Sequence, residues 1–157
     1  MTEATLFNLG PAFLFQISSF FVMPFWLVMA FLPRWQPIVY VIRSPWIAIV
    51  PAIFYIILVL PGVVDVIIAV SVPDINALAA ILGTPLGTAI SWMHFLAFDL
   101  FVGRWIYLDA IERHIPPVII APILFFTLML GPVGYILYLI VRQINIMRKS
   151  TSAWKEK

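Results

Sequence analysis

Four apolar blocks, each long enough to cross a hydrocarbon layer, decide what this chain can become. They run over about residues 11–32, 46–70, 86–108 and 118–141, and a spanning helix needs about 20 residues. In lipid no water satisfies the backbone, so each block must bond its own N–H and C=O groups as a helix. Hydrophobic residues make up 64% of the 157 and charged residues 10%, against about 45–50% and about 25% in soluble domains. No stretch is left over for a soluble domain. The expectation is an all-α integral membrane protein: one membrane domain, a bundle of four transmembrane helices, with residues 142–157 as a basic tail.

The charge balance points to the bilayer rather than to nucleic acid. The net charge is +2, and the basic excess sits in the tail, where it faces anionic headgroups. With no cysteine and two histidines, thiolate chemistry, Fe–S clusters and a protein-only zinc site fall away. The N-terminus, MTEATLFNLG, has neither the basic start of a secretory signal nor the Arg/Ser richness of a transit peptide. A bacterial chain, or a trimmed organellar one, is expected.

Proline, tryptophan and arginine punctuate the blocks. Pro11 suits a helix entry, Pro24 lies inside the first span and Pro33 ends it. Trp26, Trp35, Tyr40 and Trp46 are expected at the interface, around a loop that carries Arg34 and Arg43. The second span contains Pro51, Pro61 and, near its end, Asp65; the run Ile75 to Leu82 suits a short interfacial helix. In the fourth, Gly131-Pro132-Val133-Gly134 bends the helix or admits a close neighbour. Four crossings put both termini on one side. The tail has Arg142, Arg148, Lys149, Lys155 and Lys157, against Arg34, Arg43, Arg113 and the nearby Arg104 on the other side. The positive-inside rule then places both termini in the cytoplasm, in the thylakoid or plasma membrane of a bacterium.

The third block is unusual. It carries His94, Asp99, Arg104 and Asp109 at intervals of five, although an Arg or Asp at mid-helix costs roughly 2.5–3.5 kcal/mol on insertion scales. Steps of five rotate the side chain by about 140° and climb about 7.5 Å, so the four point in different directions and each needs its own partner. Structural roles suit Arg104 and Asp109, which lie near the helix end; Asp109 also stands four before Arg113, a favourable helical pair. His94 and Asp99 lie deeper and are the candidates for chemistry. Gln16, Ser19 and Thr127 are the partners available to Asp99, and Asp65 is the carboxylate expected to couple to His94. His94 shares a face with Phe98, Phe101 and Trp105, an aromatic wall suited to a long hydrophobic molecule. His114, twenty residues on, is too far from His94 to clasp one haem with it; a single axial tetrapyrrole at His94 remains an alternative.

The run Trp92, His94, Leu96-Ala97-Phe98-Asp99-Leu100-Phe101-Val102-Gly103-Arg104-Trp105, then Asp109, resembles the signature of the abscisic-acid-deficient-four family. So do Gly131-Pro132-Val133-Gly134 with Tyr138, and the early Pro24-Phe25-Trp26, Pro33 and Pro37. The resemblance covers nearly the whole chain. It implies a membrane protein of carotenoid metabolism, which in plants is needed to make neoxanthin from violaxanthin. That step is an epoxide-to-allene isomerisation and requires no cofactor. On this reading His94 and Asp99 share acid–base work, Asp65 orients or substitutes as base, and Phe98, Phe101, Trp105 and Arg104 bind a carotenoid or other isoprenoid. The competing class is non-enzymatic: a pigment-binding or assembly subunit of a photosynthetic or respiratory membrane complex.

Overall fold

The computed structural model describes residues 10–32 and 35–155, with side chains to residue 149. Residues 1–9, Pro33, Arg34, Glu156 and Lys157, together with the side chains of residues 150–155, lie outside the described set; the first-span stop and part of the charge tally fall there. Among the described residues every regular element is helical: α1 (Pro11–Phe31), α2 (Gln36–Arg43), α3 (Ile49–Val59), α4 (Val63–Ser71), α5 (Ile75–Leu82), α6 (Pro85–Glu112), α7 (Pro117–Leu130) and α8 (Pro132–Lys155). Among the described residues three helical stretches are long and apolar enough to cross a membrane: Pro11–Phe31, Pro45–Ser71 and Pro85–Glu112, of 21, 27 and 28 residues.

The second of these is not uniform, and proline explains why. Pro61 has no N–H and its ring crowds the carbonyl of Ile57, and Leu60–Gly62 tightens to a 3-10 turn between α3 and α4. Another 3-10 turn, Pro45–Ala48, opens the stretch. The expected short helix over residues 75–82 is present as α5. Asp74 caps it, accepting from the N–H of Asn76 at 3.0 Å and of Ala77 at 2.8 Å.

The chain divides into two compact units, Met1–Met23 with Ala48–Phe98, and Pro24–Ile47 with Asp99–Lys157. The first is built on Leu14 of α1, Leu58 of α3, and Ala89 and Met93 of α6, with Phe15, Phe54 and Tyr55 packed around them. Gly87 permits the tight α5–α6 corner, because a Cβ there would run into the Ile81 carbonyl.

In the second unit α1 meets α6 where Trp26 lies over Gly103. Trp26 is 4% exposed and its indole N–H has no hydrogen-bond partner among the described residues. It is a packing residue, not the interfacial anchor its position suggested; Trp35, Tyr40 and Trp46 are exposed as expected.

The fourth block departs from the expected single span of 118–141. It breaks at Gly131, which adopts φ 29° and ψ −84°. Pro132 cannot donate to the carbonyl of Leu128, and glycine accepts the positive φ without a Cβ penalty. The chain then folds back. Thr127 and Gly134 are in such close approach that a Cβ on Gly134 would overlap Thr127, and further from the turn Ile119 and Ile144 line one groove. α7 and α8 are therefore an antiparallel hairpin. With 14 residues, α7 is about 21 Å long, short of a hydrocarbon core of about 30 Å.

α8 runs parallel to the end of α6, as successive neighbours show. Asp99 lies beside Gly131, Trp105 beside Tyr135 and Tyr138, and Asp109 beside Tyr138 and Arg142. The turn thus stands level with Asp99, ten residues or about 15 Å back along α6 from Asp109. α8 continues as helix through most of the expected basic tail.

Candidate functional site

In the first unit, α6 carries His94 on an exposed face. Its ring stacks on Phe98, with centroids 4.7 Å apart and planes at 26°. Phe95 meets it edge-on at 6.3 Å and Tyr55 of α3 approaches at 5.7 Å. His94 makes no hydrogen bond or ion pair with any described residue. Asp65, exposed on α4, makes none either, so the expected Asp65–His94 couple is not formed. Two residues before His94, the Trp92 indole N–H donates to the Ser19 hydroxyl of α1 at 3.3 Å, and the ring lies 5.3 Å from Phe15. Ser19 is thereby engaged.

Asp99 belongs to the second unit. Its half-buried carboxylate lies against the α7–α8 turn, where a Cβ on Gly131 would stand 2.7 Å from Oδ1. The Thr127 hydroxyl, a candidate partner, instead donates to the Ile123 carbonyl at 2.9 Å. Of the expected aromatic wall, Phe98 and Phe101 are 59% and 49% exposed. Trp105 is engaged with α8, edge-on to Tyr138 at 5.3 Å and tilted on Tyr135 at 5.8 Å.

Arg104 has a defined task. Its Nε donates to the carbonyls of Ile42 at 2.8 Å and Ser44 at 3.2 Å, and Nη2 donates to that of Arg43. These are the last carbonyls of α2 and its cap, left without intrahelical donors. A guanidinium there also faces the negative end of the helix dipole. Arg104 thus fastens the loop helix α2 to α6.

Asp109 gathers three donors on one oxygen. Arg113 Nε donates to Oδ2 at 2.6 Å, Arg142 Nε at 3.1 Å, and the Tyr138 hydroxyl completes the set. The helical pair with Arg113 is the expected one. Tyr138 and Arg142 were not anticipated as partners. The signal was there: they are four apart, on one face of α8. Lys149 donates to the Arg113 carbonyl at 2.9 Å, closing the α6 end to α8.

These contacts sort the four ionisable residues of α6. Arg104 and Asp109 are committed to joining helices, whereas His94 and Asp99 make no side-chain hydrogen bond with any described residue. The stretch that contains all four lies within residues 13–138, which match the ABA DEFICIENT 4-like family. No curated protein and no solved structure matches the chain. The match takes in most of the 157 residues, and the chain belongs to the ABA DEFICIENT 4-like family.

Proposed function

We propose that this protein acts in carotenoid metabolism within the membrane, isomerising an epoxy-xanthophyll toward an allenic alcohol of the neoxanthin type. His94 is the proton-transfer group. The observation that carries the reading is a hydrogen-bond-free imidazole, exposed on a spanning helix and stacked on the exposed Phe98. A polyene dissolved in the bilayer reaches such a ring without entering a channel. In the reaction His94 gives a proton to the epoxide oxygen, the C–O bond opens, and a base takes a proton from the adjacent carbon. Atoms and electrons balance without an oxidant. Asp99 and Asp65 are the carboxyl groups whose share in that second transfer has to be tested.

The decisive experiment is pigment analysis by chromatography in a deletion host complemented with His94→Ala, Asp99→Ala or Asp65→Ala at equal protein level. Loss of the product with His94→Ala supports the reading; full complementation by His94→Ala refutes it. The exposure of Phe95, Phe98 and Phe101 also favours a second reading, a pigment-holding or assembly subunit. There, deletion leaves the pigment profile intact, while pigment stops co-purifying with the variant protein.

The hairpin also bears on orientation. With three crossings, residues 32–44 and everything past 112 share one side. That side, with the adjoining end of α6, holds all nine Lys and Arg of the sequence; residues 1–10 and 72–84 hold none. The positive-inside rule then places the C-terminus in the cytoplasm and the N-terminus opposite, in place of two termini on one side. The chain has no cysteine, so Asn76→Cys and Ser152→Cys can be labelled without background. An impermeant maleimide applied to intact cells should modify only the first; protection of both until the cells are permeabilised returns the four-crossing topology with both termini cytoplasmic.

A further inference from the structure

Beside α2 lies a groove of about 720 Å³, within the roughly 300–1,000 Å³ typical of small-molecule sites. Phe25 of α1, Tyr40 and Arg43 of α2, and Ser44, Trp46 and Ile47 of the following turn supply most of its wall. No acidic residue lines it among the described residues. The Arg43 side chain is exposed, and its guanidinium makes no hydrogen bond or ion pair with any described residue. A helix C-terminus would ordinarily repel an anion. Here Arg104 occupies the carbonyls of Ile42, Arg43 and Ser44, so that end of α2 is neutralised and a second cation stands beside the groove.

We infer that this groove binds the phosphate headgroup of an anionic lipid. Arg43 takes the phosphate, since a guanidinium presents paired donors to such oxygens. Tyr40 and Trp46, 80% and 68% exposed, flank the glycerol region, where amphipathic rings prefer to sit. Phe25 and Ile47 accept the first carbons of an acyl chain. The occupant is a lipid rather than a soluble anion because, among the described residues of the lining, Arg43 is set with Ser44 in a wall that is mainly aromatic and aliphatic, at the end of a candidate spanning helix. Among the described residues the lining holds one side-chain cation, Arg43, which suits a phosphate group.

The test uses the full chain in nanodiscs of phosphatidylcholine, with phosphatidylglycerol raised from 0 to 30%. Phosphatidylglycerol should raise the thermal midpoint of the wild type, and Arg43→Gln should lose at least half of that gain. Lys149→Gln, which removes a basic residue outside the groove, should keep most of it and so controls for general attraction to an anionic surface. Trp46→Ala, which leaves every charge in place, should also reduce the gain. Inorganic phosphate at 20 mM in phosphatidylcholine discs should leave the midpoint unchanged. Equal gains in wild type and Arg43→Gln would overturn the inference. So would a shift of full size from inorganic phosphate alone, which would make the site one for a free anion.

Discussion

Adding one methyl group at Gly103 should destabilise this protein, and removing part of one indole should reverse the sign. A Cβ at Gly103 would stand 2.8 Å from Cζ3 and 3.2 Å from Cζ2 of Trp26, and closer still to Cη2. Trp26 is 4% exposed and has no room to retreat. Overpacking of this kind costs typically about 1–3 kcal/mol. Against it stands the helix-propensity gain of Ala over Gly, up to about 1 kcal/mol at an interior position. The clash wins, and Gly103→Ala alone should lose about 1–2 kcal/mol. Trp26→Phe removes the three atoms that collide. It also removes an indole N–H that is buried without a partner, a liability of about 1–3 kcal/mol, which offsets part of the lost packing. On that background Gly103→Ala should stabilise by up to about 1 kcal/mol. The double-mutant cycle then returns a coupling of about 2–3 kcal/mol. Thermal unfolding in detergent, followed by circular dichroism at 222 nm, reads it as roughly 2–4 °C per kcal/mol. If Gly103→Ala costs the same with Trp26 and with Phe at that position, the contact does not govern α1–α6 packing and the reasoning fails.

Three further outcomes follow from the second unit. Arg104→Ala should cost about 1.5–3 kcal/mol by leaving the end of α2 without its donors, with Arg104→Lys intermediate because one ammonium cannot serve three carbonyls; limited proteolysis near Ser44 should rise in the same order. Asp109→Ala should cost about 2–3 kcal/mol, since it strands the buried Tyr138 hydroxyl and two guanidinium groups. Arg113→Ala, which removes one exposed-edge pair of the same cluster, should cost clearly less, and the thermal midpoints of the two variants separate the two cases. His114→Gly should stabilise by about 0.5–1 kcal/mol. His114 holds φ 60° at the end of α6, where the N–H of Ile115 donates to the Ala110 carbonyl and that of His114 to the Ile111 carbonyl; this helix stop favours glycine in the left-handed position. An unchanged or lower midpoint would show that the histidine side chain has another structural role.

How far the sequence reached can be argued from α6 and from the α7–α8 turn. Helical periodicity alone separated His94, Asp99, Arg104 and Asp109 into four directions, and the structure gives each different surroundings. Position along the span gave Arg104 and Asp109 structural roles near the helix end, where the structure has them joining helices. What periodicity could not supply was the partner. The oxygens that Arg104 binds are backbone carbonyls of α2, sixty residues away, and carbonyls carry no residue identity to read. Tyr138 was legible only as part of a family pattern; its hydroxyl bond to Asp109 depends on α8 running parallel to α6. That direction depends in turn on Gly131. The tetrapeptide Gly131-Pro132-Val133-Gly134 was recognisable as a site of bending, yet its residues fit a modest kink and a full reversal equally well. The approach of Thr127 to Gly134 decides between them, and it is a tertiary fact. The consequence reaches beyond local geometry. A kink keeps a fourth crossing and divides the basic residues nearly evenly across the bilayer. A reversal is what the proposed three-crossing topology rests on, so the conformation of Gly131 bears directly on the labelling experiment at residues 76 and 152.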